Sequence, residues 1–133
     1  MDLTIQSEKD LKSIEIPPPI VAICGPGKIG KTTFASMFPM PVILWTERGA
    51  AGLKVPKLPV DGPVGDWAML LKCVNLLRTE DHDRKTLVLD TIDIAQKLAM
   101  THVINEKYKG DPALFEAYKA GYVPLRNEFR RLL

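Results

Sequence analysis

At 133 residues the chain holds material for one domain core and not for two. Its apolar fraction of 46% is ordinary for a globular protein, and 18 basic against 16 acidic residues leave a net charge of +2, a balance that neither indicates nor excludes a nucleic-acid partner. No run approaches the roughly 20 apolar residues that a membrane-spanning helix needs, and the opening MDLTIQSEKDLK lacks the apolar stretch of a secretory signal.

Residues 1–19 read as a polar arm or edge segment, ending in Pro17, Pro18 and Pro19, which supply no backbone donors and favour extended geometry. The run IVAIC, residues 20–24, lies between proline and glycine and predicts a strand buried on both faces. A short helix is expected over residues 31–37, stopped by Pro39 and Pro41, followed by a second buried strand through Val42, Ile43, Leu44 and Trp45. Residues 49–65 carry several prolines and glycines and read as a long irregular connection. Asp66 has N-cap character, and Trp67, Leu70, Leu71, Val74 and Leu77 then recur at helical spacing.

The run Leu87, Val88, Leu89 predicts a third buried strand ending at Asp90, before a helix whose Ala95, Leu98, Ala99, His102 and Val103 share a face. Asp111 with Pro112, and Pro124 ahead of Leu125, Phe129 and Leu132, mark two further helix starts. Cys24 and Cys73 stand in apolar surroundings without CxxC spacing and are expected to be buried, reduced thiols, a usage that suits a cytoplasmic protein. No zinc cluster is expected from the two cysteines with His82 and His102. The alternation of strands and helices predicts an α/β fold with a mostly parallel sheet and helices on both faces.

One stretch departs from ordinary turn composition. Residues 25–33, GPGKIGKTT, fit G-x-x-x-x-G-K-[ST] at Gly25, Gly30, Lys31 and Thr32, between a predicted strand and a predicted helix. Successive backbone N–H groups of such a loop, here from Gly25, Pro26, Gly27, Lys28, Ile29 and Gly30 into Thr33, less the proline, turn inward around anionic oxygens. Glycines permit the close approach, Lys31 carries a mobile positive charge to β- and γ-phosphates, and Thr32 offers a hydroxyl to Mg²⁺. Lys28 reads equally as a phosphate contact or a solvated loop lysine. Asp90, at the carboxyl end of its strand, is the acid that would complete the Mg²⁺ site, with helix capping as its plainer role. Asp93 reads as a first-turn acid. Glu47, after the second strand, is the candidate to orient water, with a solvated loop glutamate as its plainer reading.

IVAICGPGKIGKTTFASMFPMPVILWTERG followed by KTLVLDTID resembles the phage-encoded RecA-like ATP-binding proteins, including those linked to single-strand annealing and recombination, over residues 20–103. The resemblance implies a P-loop NTPase of RecA-like three-layer α/β architecture across residues 20–133, with ATP and Mg²⁺ as ligands. It makes residues 25–33 the Walker A element, Asp90 the Walker B acid and Glu47 the catalytic glutamate. It implies single-stranded DNA as a partner, assembly into rings or filaments, and a place in the host cytoplasm. Such domains carry further strands after the Walker B unit. Only three core strands are evident here, so the domain is expected to be partial, or its sheet to be completed by a partner chain.

Lys107, Lys109 and Lys119, with Tyr108, Tyr118 and Tyr122, offer basic groups and stacking rings for DNA, and Arg126, Arg130 and Arg131 extend the basic character. Solvated faces and core tyrosines are the plainer reading of the same residues. Three functions share the phosphate loop: an ATPase of DNA recombination, a nucleotide-binding interaction module without turnover, and a small-molecule kinase, for which no acceptor motif is evident.

Overall fold

The computed structural model describes residues 17–113 and 122–132. Its centre is β1 (Pro41–Trp45), whose Val42, Ile43, Leu44 and Trp45 are all buried. Four consecutive apolar side chains need cover on both faces, which a strand obtains only inside a layered sheet. β1 lies between β2 (Lys57–Leu58) and β3 (Thr86–Asp90), and both neighbours run parallel to it. The register places Trp45 opposite Asp90 and Leu44 opposite both Leu58 and Leu89.

Parallel pairing of β1 with β3 requires a crossover, and α2 (Trp67–Thr79) supplies it. Asp66 accepts a hydrogen bond from the Met69 N–H at 2.8 Å and caps the first turn, as its position predicts. The buried Trp67, Leu70, Cys73 and Val74 form one stripe of this helix. They meet Ala95, Ala99 and Val103 of α3 (Ile92–Lys107), where two alanines one turn apart leave room for close approach. Leu44 joins this cluster from the sheet. On the opposite face, Ile43 and Trp45 pack with Ala50 of the short 3-10 turn Arg48–Ala50, and with Leu53, Val55 and Val88.

Several expectations are corrected. Residues 20–24 form no strand: Ile20 is 82% exposed, and the run has no ladder partner among the described residues. Its apolar letters specify a preference for burial but no partner, and no described layer covers it. The third strand of the sheet comes instead from Lys57–Leu58, inside the connection read as irregular. Two residues are too few to leave a periodic signal. Leu87, expected inside, is 46% exposed because β3 ends the row of described strands. Among the described residues, α2 and α3 pack on one face of the sheet and the 48–55 connection on the other. The first helix, α1 (Lys31–Ala35), stops short of Met37. Cys24 is exposed, while Cys73 is buried and its thiol pKa is pushed up by that burial.

The last described helix, α4 (Tyr122–Arg130), begins ahead of Pro124, which therefore occupies the first turn, where a missing N–H costs no intrahelical bond. Leu125 is buried against the main core. Phe129 lies 5.3 Å from the Trp67 ring between centroids, and the Trp67 indole N–H donates to Glu128 at 2.9 Å. Arg131 donates to the same carboxylate at 2.8 Å.

Burial opposes the charge on Glu128, but hydrogen bonds from Trp67 and Arg131, helped by the nearby Arg131 and His102, outweigh it and hold the carboxyl below its ordinary range. The tether it makes is fully present above the unfolded glutamate range and is lost as pH falls through the depressed folded value. Near-UV circular dichroism across an acid titration should show the Trp67 environment changing in that window. Glu128→Gln should remove this transition, and its persistence in the variant would refute the assignment.

Candidate functional site

Two carboxyl strand ends and one loop meet at one edge of the sheet. The loop, residues 25–30, uses backbone that L side chains rarely adopt, with φ of 65° at Lys28 and 96° at Gly30. Gly30 is the N-cap of α1, and the helix opens with Phe34 N–H donating to the Gly30 carbonyl at 2.8 Å. A Cβ at Gly25 would lie 2.7 Å from the Ile29 Cδ1, whereas one at Gly27 would meet nothing within 4 Å. The Ile29 Cδ1 ends an exposed side chain that can move aside, so backbone conformation restricts both Gly25, at φ 153°, and Gly30. It leaves Gly27 unrestricted.

Lys31 folds back over the loop, its Nζ donating to the carbonyls of Gly25 and Pro26, each at 2.7 Å. An ammonium has three donors, so this arrangement holds the positive charge at the loop mouth with one donor beyond these two. Beside it, the Thr32 Oγ1 donates to Asp90 Oδ2 at 2.9 Å across 58 residues of sequence. The expected pairing of the loop threonine with the strand-end acid is therefore present in the structure. Asp90 is not the cap of the following helix, since Thr91 occupies that position.

Thr46, which the sequence reading passed over, organises the same edge. Its N–H donates to the Asp90 carbonyl at 2.7 Å, its hydroxyl accepts from the Thr91 N–H at 2.8 Å, and the hydroxyl donates to the Thr91 carbonyl at 3.1 Å. The available signal was a threonine continuing a run of buried apolar residues, because a buried hydroxyl needs a partner. Glu47 follows directly in extended conformation, exposed, at the start of the 3-10 turn. Asp93 is an exposed acid in the first turn of α3, and Lys28 is exposed on the loop.

The edge thus presents a cation held by two loop carbonyls, a hydroxyl paired with a carboxylate, and a second carboxylate in the neighbouring connection. Hydroxyl and carboxylate oxygens are the hard donors that suit Mg²⁺, which needs few protein ligands because it keeps much of its water shell. Both Thr32 and Asp90 keep lone pairs beyond their mutual bond, so the donor set fits that ion. Among the described residues no group of three or more histidine, cysteine or acidic side chains is arranged to hold a metal.

Two surface depressions lie away from this edge. One depression of about 180 Å³ separates α3 from α4 and is lined by His102, Glu106 and Glu128. Another of about 270 Å³ opens beside Val42, Arg84 and Thr86. Thr86 begins the strand that Asp90 ends, about 13 Å away for a five-residue strand. The loop edge is an open surface because residues 20–24, which precede it, form no wall.

The residues considered for DNA contact divide. Tyr108 packs against the main core and so is not displayed as a stacking ring. Lys107, Lys109, Arg126 and Arg130 are exposed, while Arg131 is paired with Glu128. Tyr118 and Lys119, and the side chain of Tyr122, lie outside the described residues. No helix among the described residues is long and apolar enough to cross a membrane.

A family described as an AAA domain matches residues 18–133. No curated protein and no solved structure matches the chain.

The contact between Thr32 and Asp90 is measurable on its own. A double-mutant cycle of Thr32→Val with Asp90→Asn, read by urea unfolding, should return a coupling of about 1 kcal/mol or more, as for a hydrogen bond to a charged acceptor. Additive effects would show that the two side chains do not interact in solution.

Proposed function

This chain belongs to the AAA-domain family, as an α/β domain of P-loop NTPase type with a parallel central sheet, and on that premise we propose that it is a Mg²⁺-dependent ATPase. The observation that carries the reading is the 2.9 Å hydrogen bond between Thr32 and Asp90, two residues assigned to one Mg²⁺ site from separate parts of the sequence. Residues 25–33 bind the phosphates of ATP. Lys31 exchanges its loop carbonyls for β- and γ-phosphate oxygens, a change that costs little because a flexible ammonium swaps one set of acceptors for another. Thr32 and Asp90 hold Mg²⁺, which when bound neutralises charge on the β- and γ-phosphates.

Glu47 acts on water. Its carboxylate accepts a proton from the attacking water as the water oxygen bonds to the γ-phosphorus and the bond to the β,γ-bridging oxygen breaks, releasing ADP and phosphate. The loop amides and Lys31 stabilise the charge that gathers on the transferring group. We assign this turnover to DNA recombination or single-strand DNA metabolism of a phage, in the host cytoplasm. The support is the resemblance of the Walker elements to those of RecA-like proteins, and the exposed Lys107, Lys109, Arg126 and Arg130. A second reading, a nucleotide-binding module without turnover, is favoured by the exposure of residues 20–24, which leaves the loop open to solvent.

Calorimetry with Mg-ATP and a phosphate-release assay with and without single-stranded DNA test both readings. Lys31→Ala should weaken nucleotide binding at least tenfold, as loss of a charge-assisted phosphate contact does. Glu47→Gln should keep the affinity and lower hydrolysis by about 10²-fold or more. Binding without release of phosphate would select the module, and no binding by the wild-type protein would end both.

A further inference from the structure

Thr46 is the one buried polar side chain among the described residues. For packing alone a valine would serve there, since the preceding Ile43, Leu44 and Trp45 are apolar and buried. Nor does sheet register require a hydroxyl, because β1 and β3 already share five registered pairs from Pro41 with Thr86 to Trp45 with Asp90. Thr46 stands just past the last pair, where one chain departs toward the 3-10 turn and the other toward α3.

At that fork both polar groups of the peptide unit joining Asp90 and Thr91 end on Thr46. The Asp90 carbonyl accepts its N–H at 2.7 Å, and the Thr91 N–H donates to its hydroxyl at 2.8 Å. The hydroxyl proton goes to the Thr91 carbonyl at 3.1 Å, so the oxygen both donates and accepts. These bonds restrain the backbone next to Asp90, whose side chain reaches from there to Thr32. The next residue along the chain is Glu47. One threonine is therefore bonded to the backbone that carries the strand-end acid and directly precedes the second acid.

We propose that Thr46 is a positioning residue for the Mg²⁺-nucleotide site, acting through the Asp90–Thr91 peptide and touching neither nucleotide nor ion. The inference rests on the Mg²⁺-dependent nucleotide binding argued above. Groups that orient metal ligands without contacting the metal commonly change metal affinity by about 10- to 100-fold when removed. The Thr46 hydroxyl has that relation to Asp90.

The test is a Mg²⁺ titration of fluorescent-ATP binding by wild type, Thr46→Val and Thr46→Ser, paired with binding of the same nucleotide in EDTA. Thr46→Val should raise the Mg²⁺ concentration for half-saturation about tenfold or more, while its metal-free affinity, which reads Lys31 and the loop amides, stays with wild type. Thr46→Ser keeps the hydroxyl and should restore the wild-type half-saturation. The proposal is overturned if Thr46→Val titrates like wild type, if its metal-free affinity falls by the same factor, or if Thr46→Ser shifts as Thr46→Val does. Should Thr46→Val fail to fold by circular dichroism, Thr46→Ala replaces it, and failure of both assigns Thr46 to the fold alone and overturns the proposal. Wild-type protein whose binding ignores Mg²⁺ would instead remove the Mg²⁺ reading itself, and this inference with it.

Discussion

The hydrogen bond from Thr32 to Asp90 joins the glycine loop and its helix to the carboxyl edge of the sheet. On one side stand a glycine loop and the five-residue helix α1, too short to be stable alone. On the other stands a strand whose position is set by its parallel ladder with β1. This contact, with the buried Ala35 and the bonds of Pro39 and Met40 to Thr86 and Lys85, ties the segment to the sheet. The positive charge of Lys31, held at the loop mouth by the carbonyls of Gly25 and Pro26, is brought beside the carboxylate edge at the same time.

What makes that contact dependable is the layer beneath it. Leu44, Trp67, Leu70, Ala95, Ala99 and Val103 form a continuous apolar cluster that fixes α2 and α3 against one face of the sheet. Ile43 and Trp45 fix the other face with Ala50. A strand clamped from both sides ends at a defined point, so the residues just past it, Thr46 and Asp90, can meet with hydrogen-bond geometry. Chemistry gathers at the carboxyl strand ends because the chains diverge there and leave backbone groups available to one another and to a ligand.

The surface over the loop is open. Ile20, Val21, Ile29, Phe34 and Met37 are exposed apolar side chains around it. Two depressions lie between α3 and α4 and at the amino end of the sheet, away from the loop and from Asp90. The loop edge instead sets the Lys31 ammonium beside the bonded pair of Thr32 and Asp90.

The sequence by itself determined the loop, the central strand, the capped helix after Asp66 and the identity of the acid at Asp90. Each of these is written in local terms: glycines at positions that positive φ restricts, four consecutive buried letters, an Asx cap with an apolar stripe behind it, and an acid closing an apolar run. Only the tertiary structure decided which strands pair. Residues 20–24 and Leu87 carry apolar letters yet stay exposed, while Lys57–Leu58, with no period to read, joins the sheet. Thr46 shows the same limit at the candidate site, since its importance lies in groups 44 and 45 positions further along the chain. Burial preference is a property of single residues, but pairing and hydrogen-bond completion belong to two distant segments at once, and a one-dimensional pattern does not encode their meeting.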